Sequence, residues 1–149
     1  MYILLLIGLA LILWCALKTR VYLRARKWHK TQGVLLNVSE GEFKEFNELS
    51  PPTFFKYPKA KYEYTVVDQA HLNDKVTFEI RNYFKYENAG DEFWNNWKEG
   101  ETIDIFYNPS NPTESVIIPY MSKKRRSHYL ALFFSGLLLI IAGLLINGA

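Results

Sequence analysis

Two stretches of this chain carry no charged side chain at all: residues 2–17, YILLLIGLALILWCAL, and residues 129–146, YLALFFSGLLLIIAGLLI. They are 16 and 18 residues long, and a helix that crosses a bilayer needs about 20 residues, with roughly 17–25 usual. The first reaches that length by continuing through Lys18 and Arg20, whose long stems let the charged ends return to the headgroups. A domain of about 90 residues could not enclose two helices that are apolar all round. Both are therefore predicted to span a membrane. The first reads as a retained anchor rather than a leader: no basic side chain precedes it and no small-x-small site follows. Trp14 also stands before Cys15, where a lipoprotein signal needs a small residue.

Between the spans the pattern shifts to period two. Ala60, Tyr62, Tyr64 and Val66 alternate with Lys59, Lys61, Glu63 and Thr65, which predicts a strand over 59–67. Val76, Phe78 and Ile80 alternate with Thr77, Glu79 and Arg81, and the polar link 68–74 between the two runs predicts a hairpin. Further strands are expected at 34–39, 103–107 and 116–118, with a turn at 108–112. Basic and aromatic residues interleave over 18–30, so the first helix is expected to run to about Trp28 before Gly33 breaks it. Residues 40–58 are expected to be irregular. Phe43, Phe46 and Leu49 there recur every three residues, the spacing of a short helical turn that Ser50-Pro51-Pro52 would end. Residues 91–98 predict a short helix capped by Asp91. The whole reads as a membrane protein of α+β class, with two transmembrane helices flanking a small antiparallel β-sheet or barrel-like domain of about five strands. The divisions are residues 1–28 (first helix and basic extension), 31–119 (soluble acidic β domain) and 123–147 (basic collar and second helix).

Charge sharpens this division. All 15 acidic residues lie between Glu40 and Glu114, and the eight basic residues in the same stretch leave it at −7. The other ten basic residues sit beside the apolar runs: Lys18, Arg20, Arg24, Arg26, Lys27 and Lys30 after the first, Lys123, Lys124, Arg125 and Arg126 before the second. An acidic domain argues against nucleic acid, which needs clustered Lys and Arg on the domain itself. Both collars lie on the domain side of their helices. Lys and Arg beside spans favour the cytoplasmic side, so the domain is expected to face the cytoplasm from a multi-pass protein of the cell inner membrane. Cys15 is the single cysteine and lies within a span, so neither an intrachain disulfide nor a cysteine metal site can form.

The Tyr-x-Tyr of Tyr62 and Tyr64, the later Gly100-Glu101, and the string Tyr107-Asn108-Pro109-Ser110-Asn111-Pro112 together resemble the domain-of-unknown-function 3592 family of small bacterial two-helix membrane proteins. The resemblance covers roughly residues 28–118 and the flanking helices. It departs from the family where a glycine often follows the Tyr-x-Tyr strand, for here the residues are Asp68-Gln69-Ala70, and residues 40–58 look like an insertion. The resemblance implies no catalytic residues. Read on its own chemistry, the string is a hairpin connection: proline fixes φ and offers no N–H, and asparagine bonds its own backbone in turns.

Candidate chemistry is sparse. No nucleophile elbow, Walker loop or dinucleotide glycine motif occurs. His29, His71 and His128 are scattered, and Glu40, Glu42, Glu45 and Glu48 have the spacing of a solvated face and match no calcium loop. No metal or cofactor is expected. The excess lies in aromatics, fourteen between Phe43 and Trp97. Phe54, Phe55, Trp94 and Trp97 fall in the irregular segments and are the candidate contacts for a partner or the membrane surface. Ala131, Ser135, Gly136, Ala142 and Gly143 form a small-residue stripe that would let the spans pair with each other or with a second copy. The expected partners are the lipid bilayer and another membrane protein. The expected function is that of a membrane-anchored, non-enzymatic interaction or accessory domain. The alternatives are an immunity protein neutralising a toxin and a membrane enzyme acting on lipid or cell-wall precursors.

Overall fold

The computed structural model describes residues 2–47, 50–87 and 96–148. In chain order these form α1 (Ile3–Ala25), β1 (His29–Asn47), β2 (Ser50–Val66), β3 (Gln69–Asn73), α2 (Ile80–Glu87), β4 (Thr102–Asn108), β5 (Asn111–Val116) and α3 (Lys123–Gly148). Among the described residues the strands make one antiparallel five-stranded sheet in the order β3-β2-β1-β4-β5. The class is α+β, with two apolar helices flanking the sheet, as the hydropathy pattern predicts.

Both helices are long and apolar enough to cross a membrane. The 23 residues of α1 rise about 35 Å, more than the ~30 Å of a bilayer's hydrocarbon core. The helices run antiparallel. Leu5 meets Gly143, Gly8 meets Gly136 and Ile140, and the Trp14 ring lies edge-on to Tyr129 at 5.7 Å. Their outer surfaces, Leu6, Leu13, Leu138 and Leu145 among them, stay uncovered.

Several expected boundaries move. Helix α1 stops at Ala25, where the Arg26 N–H returns to the Tyr22 carbonyl at 3.3 Å, and β1 begins at His29. Gly33 is therefore no helix breaker but lies within β1. A Cβ there would stand 2.5 Å from the Glu63 carbonyl oxygen and 2.8 Å from Ile105 Cγ1, so the sheet centre closes only over a glycine.

The segment expected to be irregular, 40–58, is instead the outer part of a long hairpin. Phe43 lies directly opposite Phe55 and Lys44 opposite Phe54, so the triplet spacing of Phe43, Phe46 and Leu49 makes no helical turn at its described members. Pro51 and Pro52 do not interrupt it, because they fall at a register irregularity at the start of β2, where no ladder donor is required. A second irregularity between Leu35 and Asn37 lets Leu35 and Val38, three residues apart, both pack on the core.

The partner of β2 is β3, inside the stretch expected to be a link. Val67 and Asp68 join them with φ of 48° and 61°, the signature of a two-residue turn of the primed type. Val76, Phe78 and Ile80 consequently form no strand. The Val76 carbonyl accepts the N–H groups of Ile117 and Ile118, and Ile80 opens α2. The last strand begins at Asn111 rather than Val116, so Pro112 lies inside β5. That strand is at the sheet edge, where a missing N–H is tolerated. The expected helix over 91–98 falls largely outside the described residues.

The core gathers between the sheet and α2 around Leu35, Tyr62, Tyr64, Val76, Phe84 and Ile105. Phe78 stands apart from this core. It turns toward α1, edge-on to Tyr22 at 5.5 Å and to Trp28 at 5.2 Å. Beside it, Glu79 pairs with Arg125 at 2.9 Å, both largely buried, and Arg125 also donates to the Tyr129 hydroxyl at 2.8 Å. The 76–79 segment thus seats the sheet on the two helices.

Candidate functional site

The Tyr-x-Tyr strand closes the sheet on itself. The outer strands β3 and β5 approach each other, and side chains rather than a backbone ladder join them. The Tyr62 hydroxyl donates to the Lys75 carbonyl at 3.1 Å and shares a hydrogen bond with Ser115 Oγ at 3.1 Å. The Tyr64 hydroxyl donates to the Pro112 carbonyl. Asn73 Nδ2 reaches Ser115 Oγ at 2.9 Å and the Thr113 carbonyl at 3.2 Å, while its Oδ1 accepts the N–H groups of Asp74 and Lys75. Burial pushes both tyrosine hydroxyls up in pKa, and hydrogen bonding to Ser115 opposes that only in part. Such groups are hydrogen-bonded spacers, protonated through the physiological range.

The asparagine-proline string folds as a connection between β4 and β5. Asn108 Oδ1 accepts the Ser110 N–H at 3.0 Å, and its Nδ2 donates to Glu114 at 2.8 Å. Thr113 donates to Asn111 Oδ1 at 2.8 Å. Pro109 and Ser110 are the two exposed residues between the strands. The Tyr107 ring stacks over Tyr64 at 6.4 Å and meets His29 edge-on at 5.8 Å. The polar groups of the string bond within the turn, to Glu114 of the following strand or, at the Pro112 carbonyl, to Tyr64 of the sheet, and the motif is explained as architecture.

The surface feature that architecture does not explain is the outer part of the β1–β2 hairpin. Strand β1 pairs with β4 only through Val34, and β2 pairs with β3 only from Tyr62 onward. The Leu35 backbone is capped by Gly100 and Glu101, and Glu99 reaches Asn37 at 2.9 Å. Beyond that point residues 39–47 and 50–59 pair with each other and form a two-stranded arm. One face holds the stacked Phe43 and Phe55 rings, 5.2 Å apart, with Tyr57 beside them and Arg81 over Phe43. The other face holds Phe46, 77% exposed, and Phe54, 54% exposed, with the Lys44 ammonium over both rings at 4.8 and 5.3 Å. Lys56 and Glu40 pair on the same face at 2.7 Å, and that hydrogen bond raises the Lys56 pKa.

The structure separates the four aromatics singled out from sequence. Phe54 is exposed near the arm's tip, and Phe55 is half-buried on the arm's opposite face. Trp97 packs half-buried on the core. Trp94 lies outside the described residues. Phe46 was not among the four, although it is the more exposed partner of Phe54. Its signal was the alternation Glu42, Lys44, Phe46 against Phe43 and Glu45, hidden under the apparent three-residue spacing.

In the helix pair, Gly136 and Gly143 are buried against α1, Ala142 is half-buried, and Ala131 and Ser135 are exposed. The glycines of the small-residue stripe are thus occupied within the chain. Among the described residues no group of three or more His, Cys, Asp or Glu converges as a metal site would require.

A family model described as domain of unknown function (DUF3592) matches residues 31–122. The chain belongs to this family. The match covers the sheet from Thr31 onward and ends just before α3, so the Tyr62–Ser115 closure, the Asn108 turn and the arm all lie within the DUF3592 domain. No curated protein matches the chain.

Proposed function

We propose that this DUF3592 protein is a non-enzymatic interaction module of a bacterial cytoplasmic membrane, with the α1–α3 pair spanning the bilayer and the acidic sheet domain on its inner face. The observation that carries this reading is the pair itself: two long helices whose outward surfaces are apolar throughout, each with its basic collar at the end nearer the sheet. Such a surface is costly in water and cheap in lipid, and collars on the domain side favour the cytoplasm for that side. The interaction surface is the arm. Among the described residues no further strand pairs with either outer edge of the arm, the arrangement that takes up an added strand, and Phe46 and Phe54 provide aromatic anchors beside those edges. An isolated two-stranded ribbon is only marginally stable by itself, which fits a segment completed by a partner.

Two placements of a reporter test the membrane reading. One inserted at Ser50 should behave as internal, and one fused after Ala149 as external; the reverse pattern overturns the orientation. A photo-reactive residue at Phe46 or Phe54 tests the arm. It should give a discrete cross-linked species in cells, absent when the same group replaces exposed Tyr120 on the sheet domain. Cross-linking from Tyr120 but not from the arm would move the contact off the arm.

A further inference from the structure

A sizeable cavity lies outside the sheet. It is a groove of about 1060 Å³ where α1, the start of α3 and residues 119–121 meet, just beyond the ~300–1,000 Å³ usual for small-molecule sites. Its walls change character along its length. Toward the middle of the helices they are apolar, with Ile12, Leu130 and Phe133. At the sheet end they carry three guanidinium groups, Arg20, Arg26 and Arg126, beside Trp28 and Tyr120. Among the described residues no carboxylate pairs with any of the three. The nearby acids are engaged elsewhere, Asp104 by Lys30 at 2.8 Å and Glu79 by Arg125 at 2.9 Å.

We propose that this groove binds one anionic glycerophospholipid, its phosphate held by Arg20, Arg26 and Arg126 and one acyl chain laid along the apolar wall. The inference rests on the membrane reading above and adds a ligand to it. Guanidinium forks match phosphate oxygens in pairs. Three like charges that line the sheet end of an otherwise apolar groove, with no acidic partner among the described residues, call for an anion joined to a long apolar tail. A free phosphate would leave the apolar wall empty, and an apolar helix would bury the guanidinium groups without counter-charge. The inner leaflet of a cytoplasmic membrane is rich in such anionic lipids at the depth the collars would occupy.

The test uses the full-length chain in uncharged maltoside micelles, with phosphatidylglycerol added at low proportion and native mass spectrometry as the readout. One phosphatidylglycerol should be retained in preference to phosphatidylcholine. The variant Arg20→Gln/Arg26→Gln/Arg126→Gln should weaken retention by roughly tenfold or more, while Lys18→Gln/Arg24→Gln/Lys27→Gln, which removes equal charge from the first collar outside the groove, should weaken it less than about threefold. Ala16→Phe, on the groove wall but exposed, keeps all three guanidinium groups and should also lose the lipid by blocking the chain. Millimolar inorganic phosphate should not displace it. Equal losses in the two triple variants would mean a diffuse basic surface and overturn the site, and displacement by phosphate would overturn the lipid in favour of a soluble anion. Alkaline carbonate extraction separates the two layers of the argument. Release of the chain from membranes refutes the membrane reading, whereas retention without phosphatidylglycerol selectivity refutes the groove alone.

Discussion

A Cβ on Gly8 would stand 2.6 Å from the Gly136 carbonyl oxygen and 2.7 Å from Ile140 Cγ1. Backbone that close cannot yield as a flexible side chain can. Gly8→Val should therefore separate α1 from α3 and destabilise the full chain by about 1–3 kcal/mol, the usual cost of overpacking. Gly143→Ala meets the Leu5 side chain at 3.0 Å and its backbone nitrogen at 3.3 Å, looser contacts than at Gly8, and should cost less. Thermal unfolding in detergent compares the two. Equal losses would show that the helices do not meet at Gly8.

The turn between β2 and β3 invites a gain in stability. Val67 is β-branched, almost fully exposed and held at positive φ, with Asp68 beside it also at positive φ. Asn-Gly is the pair this turn type prefers. Val67→Asn/Asp68→Gly should raise stability by about 0.5–2 kcal/mol, since the strain of a β-branched residue in that region is relieved. A lower melting temperature in the double variant would contradict the turn assignment.

The closure of the sheet should be sensitive to alkali. Burial raises the pKa of Tyr62 and, less, of Tyr64 in the folded chain, whereas an unfolded tyrosine titrates near 10. A folded pKa above the unfolded one means that the contribution is whole below pH ~10 and is lost as the pH rises further, because the unfolded chain then gives up its proton first. Tyr62→Phe should cost about 0.5–1.5 kcal/mol at neutral pH, for the lost bonds to Ser115 and Lys75. Above pH 10 its stability should fall less steeply than that of the parent. Parallel pH profiles would show that Tyr62 does not titrate differently in the two states.

Within the asparagine-proline string the burden is uneven. Asn108 bonds both Ser110 and Glu114, Asn111 bonds Thr113 alone, and Pro109 contributes its fixed φ. Asn108→Ala should cost the most, about 1–2 kcal/mol, with Pro109→Ala and Asn111→Ala nearer 0.5 kcal/mol. Denaturant unfolding gives the order. Unchanged stability in all three with loss of cross-linking from the arm would make the string a contact surface after all.

The helices, the strand through Tyr62 and Tyr64, and the turn at Asn108 were legible in the sequence, because each follows from local chemistry: unbroken apolar length, period-two alternation, asparagine beside proline. The rest depends on partners distant in the chain. Val76, Phe78 and Ile80 alternate as a strand should, yet β3 already occupies the edge of β2, and Phe78 finds Tyr22 and Trp28 instead. Gly33 looked like a stop because its neighbours Glu63 and Ile105 are remote in sequence. The arm was missed because Phe43, Phe46 and Leu49 imitate a helical spacing that the pairing of Phe43 with Phe55 overrides. The groove combines residues from both helices and residues 119–121, and no local pattern brings Arg26 and Arg126 together.

The arm also fixes a distance. From Ser39 to Asn47 the ribbon extends roughly 25–30 Å at about 3.3 Å per residue. On the membrane reading proposed above, the chain meets its neighbours by lateral diffusion, and its capture radius follows its longest projection rather than its girth. Excising two opposed residues from each strand would keep every side chain beyond the cut on its own face and shorten that radius by about 7 Å. The encounter rate with any partner fixed in the same plane should shrink with it, although no contact residue has been altered.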